Sequence, residues 1–167
     1  MKNKKILIFF FAIFCLLPIK IVFGEEIIFE TPEIEVFENG NILKASKGGK
    51  AIIDNSTEII ADKFEYNKTT KTLIAEGNAQ GIDLLNKITI NADKLFFNKI
   101  TFVYNAEGNS KVVDKVKKIL IEADELEYNK KNSRYKANKN VKVDDNLNNV
   151  ITETEKMIYI RNEEKIF

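Results

Sequence analysis

The side chains with chemical potential in this sequence are its carboxylates. Histidine and tryptophan are absent, and the single cysteine, Cys15, lies in an apolar run near the N-terminus. Imidazole bases, Ser-His-Asp triads and His/Cys zinc sites are therefore excluded. The acids recur in two evenly spaced columns, Asp62/Asp93/Asp124 and Asp83/Asp114/Asp145. Such rows suggest calcium, but a hard cation needs ligands converging from several positions, and the Gly-Gly-x-Gly-x-Asp signature is missing. Glycoside cleavage needs two acids flanking one bond, and evenly repeated acids offer no unique pair. The columns are better read as bends and turns in which the carboxylate accepts backbone N–H bonds. No enzyme activity, cofactor or metal is expected.

The acids belong to an internal repeat. Ala61-Asp62, Ala92-Asp93 and Ala123-Asp124 are spaced by 31 residues, and Asn67/Asn98/Asn129 keep the same spacing. Lys68, Lys99 and Lys130 follow, with Arg161 next in the column. Ala75/Ala106/Ala137 and Asn78/Asn109/Asn140 agree, whereas Gly77 and Gly108 give way to Lys139. A fixed period of this kind marks stacked supersecondary units, each unable to bury its apolar face alone.

Inside a unit the period is two. Ile88, Ile90 and Ala92 alternate with polar residues, the phase slips after Asp93, and Leu95 and Phe97 resume the apolar face. A one-residue slip sends every later side chain to the wrong face unless a bulge absorbs it. Asp62-Lys63, Asp93-Lys94 and Asp124-Glu125 are thus predicted bulges or bends. Asn67-Lys68, Asn98-Lys99 and Asn129-Lys130 are predicted turns, because Asn tolerates turn geometry. The inward columns are Ile59/Ile90/Ile121, the three alanines before the aspartates, Phe64/Leu95/Leu126/Met157, Tyr66/Phe97/Tyr128/Tyr159 and Leu73/Tyr104/Tyr135. The fold class is all-β: a β-jellyroll or solenoid of stacked 31-residue strand-turn-strand units, with no sustained helical period after residue 25.

The repeats span 57–87, 88–118 and 119–149. An atypical first unit covers 25–56, with Glu38-Asn39-Gly40-Asn41 as its turn. A partial unit, 150–167, stops after one strand, so an open C-terminal edge is expected there. Its apolar ladder end, Thr154, Met157 and Tyr159, would be uncovered and could pair with a partner strand, including head-to-tail with a second copy near Ile34 and Val36. Residues 1–24 have the layout of a signal peptide: Lys2, Lys4 and Lys5, then an apolar run over 6–19, then Val22-Phe23-Gly24. An uncleaved anchor is the competing reading of the same residues. The 26 basic and 25 acidic side chains nearly cancel, which gives no general attraction to nucleic acid.

The recurring Ile-x-Ala-Asp-x-(Leu/Phe)-x-Tyr-Asn-Lys strand, then Ala-Glu-Gly-Asn, then Asp, resembles the OstA-like family. That family includes the lipopolysaccharide transport bridge protein of the Gram-negative periplasm and the N-terminal domain of the outer-membrane lipopolysaccharide assembly protein. Pro32-Glu33-Ile34-Glu35-Val36 and Gly40 to Ser46 are more like the latter. The resemblance covers about residues 28–167, without the β-barrel that follows in the assembly protein, so the chain could be a truncated member. It implies a periplasmic, non-enzymatic carrier with strands folded into a V-shaped trough. Lipopolysaccharide would move along an apolar groove lined by Ile59, Phe64, Tyr66, Leu73, Ile90, Leu95, Phe97, Tyr104, Ile121, Leu126, Tyr128 and Tyr135. It implies edge-strand pairing with other jellyroll proteins of the pathway. The turn lysines fit plain solvated residues, or contacts to lipopolysaccharide phosphates at the groove rim. The same columns also fit a structural or adhesin-like envelope solenoid with a packed core.

Overall fold

A computed structural model describes residues 27–167; the predicted signal segment lies outside the described residues. Among the described residues, alternating β-branched and aromatic residues produce thirteen strands in one antiparallel sheet. The repeats form a meander: β7 (Thr72–Asp83), β8 (Ile88–Asn98), β9 (Val103–Asp114), β10 (Ile119–Asn129), β11 (Arg134–Asp145) and β12 (Val150–Ile160), each paired with the next. On the N-terminal side the strand breaks at Asp62 into β5 (Thr57–Ala61) and β6 (Lys63–Asn67). From there the sheet separates into two arms. β5 pairs with β4 (Gly49–Asp54) and β4 with β1 (Ile28–Glu30); β6 pairs with β3 (Ile42–Ala45) and β3 with β2 (Glu35–Phe37). The sheet is open, its two edges unjoined.

The predicted phase slips at the aspartates are bends, and the bulge that accompanies each lies on the paired strand. In β8, residues 88, 90 and 92 are buried, residue 93 is exposed, and burial resumes at 95 and 97. Between Ala123 and Glu125 of β10 the partner β9 runs from Ser110 to Glu107, one residue more. That extra length sits at Gly108 and Asn109, both left-handed at φ 74° and 46°. A Cβ on Gly108 would stand 2.4 Å from Asp93 Oδ2, and one on Gly77 2.5 Å from Asp62 Oδ2. The aspartates at these corners bond side chains and not the backbone amides expected for them. Asn78, Asn109 and Asn140 donate Nδ2–H to Asp62, Asp93 and Asp124 at 2.9, 2.9 and 2.8 Å. In the third unit, where Lys139 replaces glycine, its ammonium pairs with Glu125.

Both ends of the bent strands finish in stacked turns. One row comprises residues 68–71, 99–102, 130–133 and 161–164; the other comprises 55–56, 84–87, 115–118 and 146–149. Asn67, Asn98 and Asn129 cap the first row by accepting N–H bonds two and three residues on. Asp114 and Asp145 do the same in the second row, and Asp83 accepts from the N–H of Asn86, three residues on. Each turn also bonds to the one before it, as Lys130 N–H does to Phe102 O and Lys115 N–H to Lys87 O.

The C-terminal edge differs from expectation in two ways. The last residues fold back as β13 (Lys165–Ile166), which pairs with Tyr159 and Ile160 and covers that half of the β12 edge. Met157 and Tyr159 are buried, so they do not form an uncovered ladder end. The side chains exposed on β12 include Val150 and Ile151.

Gly108→Ala should destabilise the protein by about 1–3 kcal/mol, through backbone strain and the clash with Asp93. Adding Asp93→Ala should recover part of that loss, because the clashing carboxylate is gone. Urea unfolding of the two single variants and the double variant measures the non-additivity.

Candidate functional site

The twelve residues expected to line the groove are at most 3% exposed. They do share one interior, as the sequence suggested, but that interior is filled by their own side chains. Its spine is an aromatic stack. Ring centroids lie 4.6 Å apart from Phe97 to Tyr104, 5.8 Å to Tyr128, 4.9 Å to Tyr135 and 5.8 Å to Tyr159. Adjacent strands are spaced by roughly 4.8 Å, so stacking of this kind follows from the 31-residue register. The interior also takes in Ala75, Ala106 and Ala137, Val112 and Val143. Gly81 belongs with them; a Cβ there would meet Tyr104 Cε1 at 3.0 Å.

The tyrosine hydroxyls point away from their own turn row and across to the other. Tyr128 Oη donates to Asp83 Oδ2 and Tyr135 Oη to Asp114 Oδ2, each at 3.1 Å. The same aspartates are ion-paired to the first row. Lys130 Nζ lies 3.3 Å from Asp83 Oδ1 and donates to Ser56 Oγ and Thr57 Oγ1. Arg161 Nε donates to Asp114 Oδ2 at 2.6 Å, and its Nη2 to Asn86 O and Asp114 Oδ1. A third, more exposed crossing joins Lys117 to Glu164. The two rows of turns therefore meet along a seam with ionic rungs, and the aromatic stack lies beneath it.

Here the structure corrects the reading of the turn cations as solvated. Lys130 and Arg161 expose only 12% and 11% of their side chains, against partners at 2% and 0%. The hydrogen bond to Asp114 holds the Arg161 guanidinium more firmly protonated than usual, against the cost of burial. Both pairs span 47 residues, one and a half units, since 130 − 83 and 161 − 114 agree. That shared offset was available in the sequence. Tyr104 Oη is buried without a hydrogen-bond partner among the described residues, although Thr57 lies alongside.

These features define a class: an open, single-sheet β-jellyroll with the OstA-like fold, whose interior is an aromatic-aliphatic ladder closed by an ionic seam. Among solved structures, the chain is similar to LptH, described as the LptA-homologous periplasmic component of the conserved lipopolysaccharide transport device from Pseudomonas aeruginosa. The TM-score is 0.61 at 11% identity, over 69% of this chain and 83% of that one. No family model matches the sequence, and no curated protein matches it.

Burial raises the pKa of Tyr104, Tyr128 and Tyr135 far above the ordinary phenol value, and pushes that of Tyr159 up to about 12. A phenol raised in the folded state stays protonated while its unfolded counterpart ionises near pH 10. Stability is thus whole below that pH and lost as pH rises above it, by about 1.4 kcal/mol per pH unit for each buried tyrosine. Absorbance at 295 nm should show these phenols ionising only together with loss of the strand signal in circular dichroism.

Proposed function

We propose that this protein is a non-enzymatic periplasmic module that carries the acyl chains of lipopolysaccharide toward the outer membrane within its folded sheet. The supporting observation is the continuous apolar ladder from Phe64 and Tyr66 to Met157 and Tyr159, laid along an open-ended sheet of OstA-like fold. A carrier of acyl chains needs a long apolar track with ends that are not sealed, and stacking supplies it at each added unit. The similarity to LptH supports lipopolysaccharide as the lipid. Export by the segment 1–24 belongs to the same reading.

The filled interior favours the second reading, an envelope scaffold with a packed core, unless the sheet opens to admit lipid. Photo-crosslinking decides between them. A photoreactive residue at Leu95 or Phe97 should yield lipopolysaccharide adducts in cells. Absence of adducts, where a known carrier gives them under the same conditions, leaves the scaffold reading.

Partners would be other jellyroll proteins of the pathway, or further copies, joined edge to edge. Residues 150–155 of β12 present an outer edge that no strand pairs among the described residues, with Val150 and Ile151 exposed on it. At the other end β2 is an edge strand with Val36 and Phe37 exposed. Joining these ends is heterologous and gives open chains of subunits. Sedimentation over a concentration series should show association that Ile151→Lys and Val36→Lys each reduce, since charge on an edge strand opposes pairing.

A further inference from the structure

We propose that the ionic seam between the two turn rows is a lateral latch. Lys130 and Arg161 would exchange their internal carboxylates for the phosphate of an anionic lipid as its acyl chains enter. The inference rests on the carrier reading above and adds where and how the lipid enters.

Three observations carry it. First, the interior is closed from the side by Lys130–Asp83, Arg161–Asp114 and Lys117–Glu164, all joining residues of opposite turn rows. Strand pairing runs within each arm, so among the described residues nothing in the backbone ladder holds the rows together at this seam. Separating them breaks side-chain contacts and leaves the sheet intact. Second, buried ion pairs are a poor way to stabilise a core, because desolvation offsets their attraction and well-packed apolar residues do as well or better. A contact that must break and reform can use charges, since each partner is solvated, or finds another counter-ion, once released. Third, the seam holds donors beyond those its bonds use. Arg161 brings five N–H groups, of which those on Nε and Nη2 are engaged, and Tyr104 Oη has no partner among the described residues although it lies beside Thr57, which accepts from Lys130. An incoming group rich in acceptor oxygens would satisfy these donors, and phosphate is well matched to a guanidinium fork. Lys99 and Lys68 continue the cation column along the same rim. On the opposite rim Lys87, Lys115 and Lys118 are exposed.

The test pins the seam. In a Cys15→Ser background, Lys117→Cys and Glu164→Cys place thiols on opposite rows, to be joined by a short cleavable bis-maleimide. Circular dichroism checks that the joined protein keeps its strand signal. Loading of diphosphorylated lipid A is followed by photo-crosslinking at Leu95. Joining should slow loading at least tenfold, and cleaving the linker should restore it. Loading at an unchanged rate while joined overturns the latch but leaves the carrier reading standing, with lipid entering from the ends. Failure to load before joining overturns the carrier reading and the latch with it. For the phosphate, Lys130→Gln with Asp83→Asn removes both charges and keeps the turn-capping oxygen. The unsubstituted protein should prefer diphosphorylated over dephosphorylated lipid A by about tenfold, and the double variant should lose that preference. Equal loading of the two lipids by the unsubstituted protein overturns the phosphate assignment. Saturable binding of inorganic phosphate to the lipid-free protein also overturns it, because the anion site would then lie outside the latch.

Discussion

The long strands of this sheet change direction along one fold line, at Asp93 and Asp124 in β8 and β10 and at Gly77-Asn78, Gly108-Asn109 and Lys139-Asn140 in β7, β9 and β11, and the rest of the molecule depends on that corner. An untwisted continuation would put half of each strand's apolar residues in water. The bulge adds one residue to alternate strands, and the left-handed Gly108-Asn109 step, bonded to Asp93, turns the chain while restoring the inward phase. The corner thus does two things at once: it folds a single sheet onto itself, and it keeps both halves of every strand facing the same interior. Repetition every 31 residues aligns the corners, so the fold line runs the length of the array.

Folding the sheet brings its two rows of turns together, and their chemistry is unequal. Each turn of the first row begins with Lys or Arg, and the strands that enter 84–87 and 115–118 of the second row end in Asp, so cations meet carboxylates across the gap. The tyrosine stack leans its hydroxyls onto the same carboxylates, which links the apolar ladder to the ionic seam. Asp83 and Asp114 therefore serve three kinds of partner each: turn amides, a phenol and a cation. Replacing either would disturb turn, core and seam together, whereas the corner aspartates affect only the fold line.

The unequal ends of the array follow from the same geometry. Toward the N-terminus the sheet parts into two arms at Asp62, where one continuous strand becomes β5 and β6. Toward the C-terminus β13 returns along only the Tyr159 half of β12, on the arm that holds the aromatic stack. The outer edge of the other half of β12 has no strand partner among the described residues. An array with unlike edges, each partly apolar, suits joining in one direction along the stack.

Much of this was legible in the residues themselves. A strict period of 31 and an alternation of two name the strands, the inward columns, the Asn-Lys turns and the slip at each aspartate, because side-chain direction along a strand is fixed by parity. Buried Tyr66, Phe97, Tyr128 and Tyr159 follow from that pattern alone. Parity says which face a side chain takes, but not how sharply the sheet folds or which turn lies opposite which. Tertiary structure decided that Lys130 reaches Asp83 and Arg161 reaches Asp114, making buried rungs of residues that read locally as solvated turns. It decided also that the interior is filled, and that the last residues return over Tyr159. Those outcomes depend on the distance between two arms of a folded sheet, a quantity set by all the corners together and carried by no local stretch of chain.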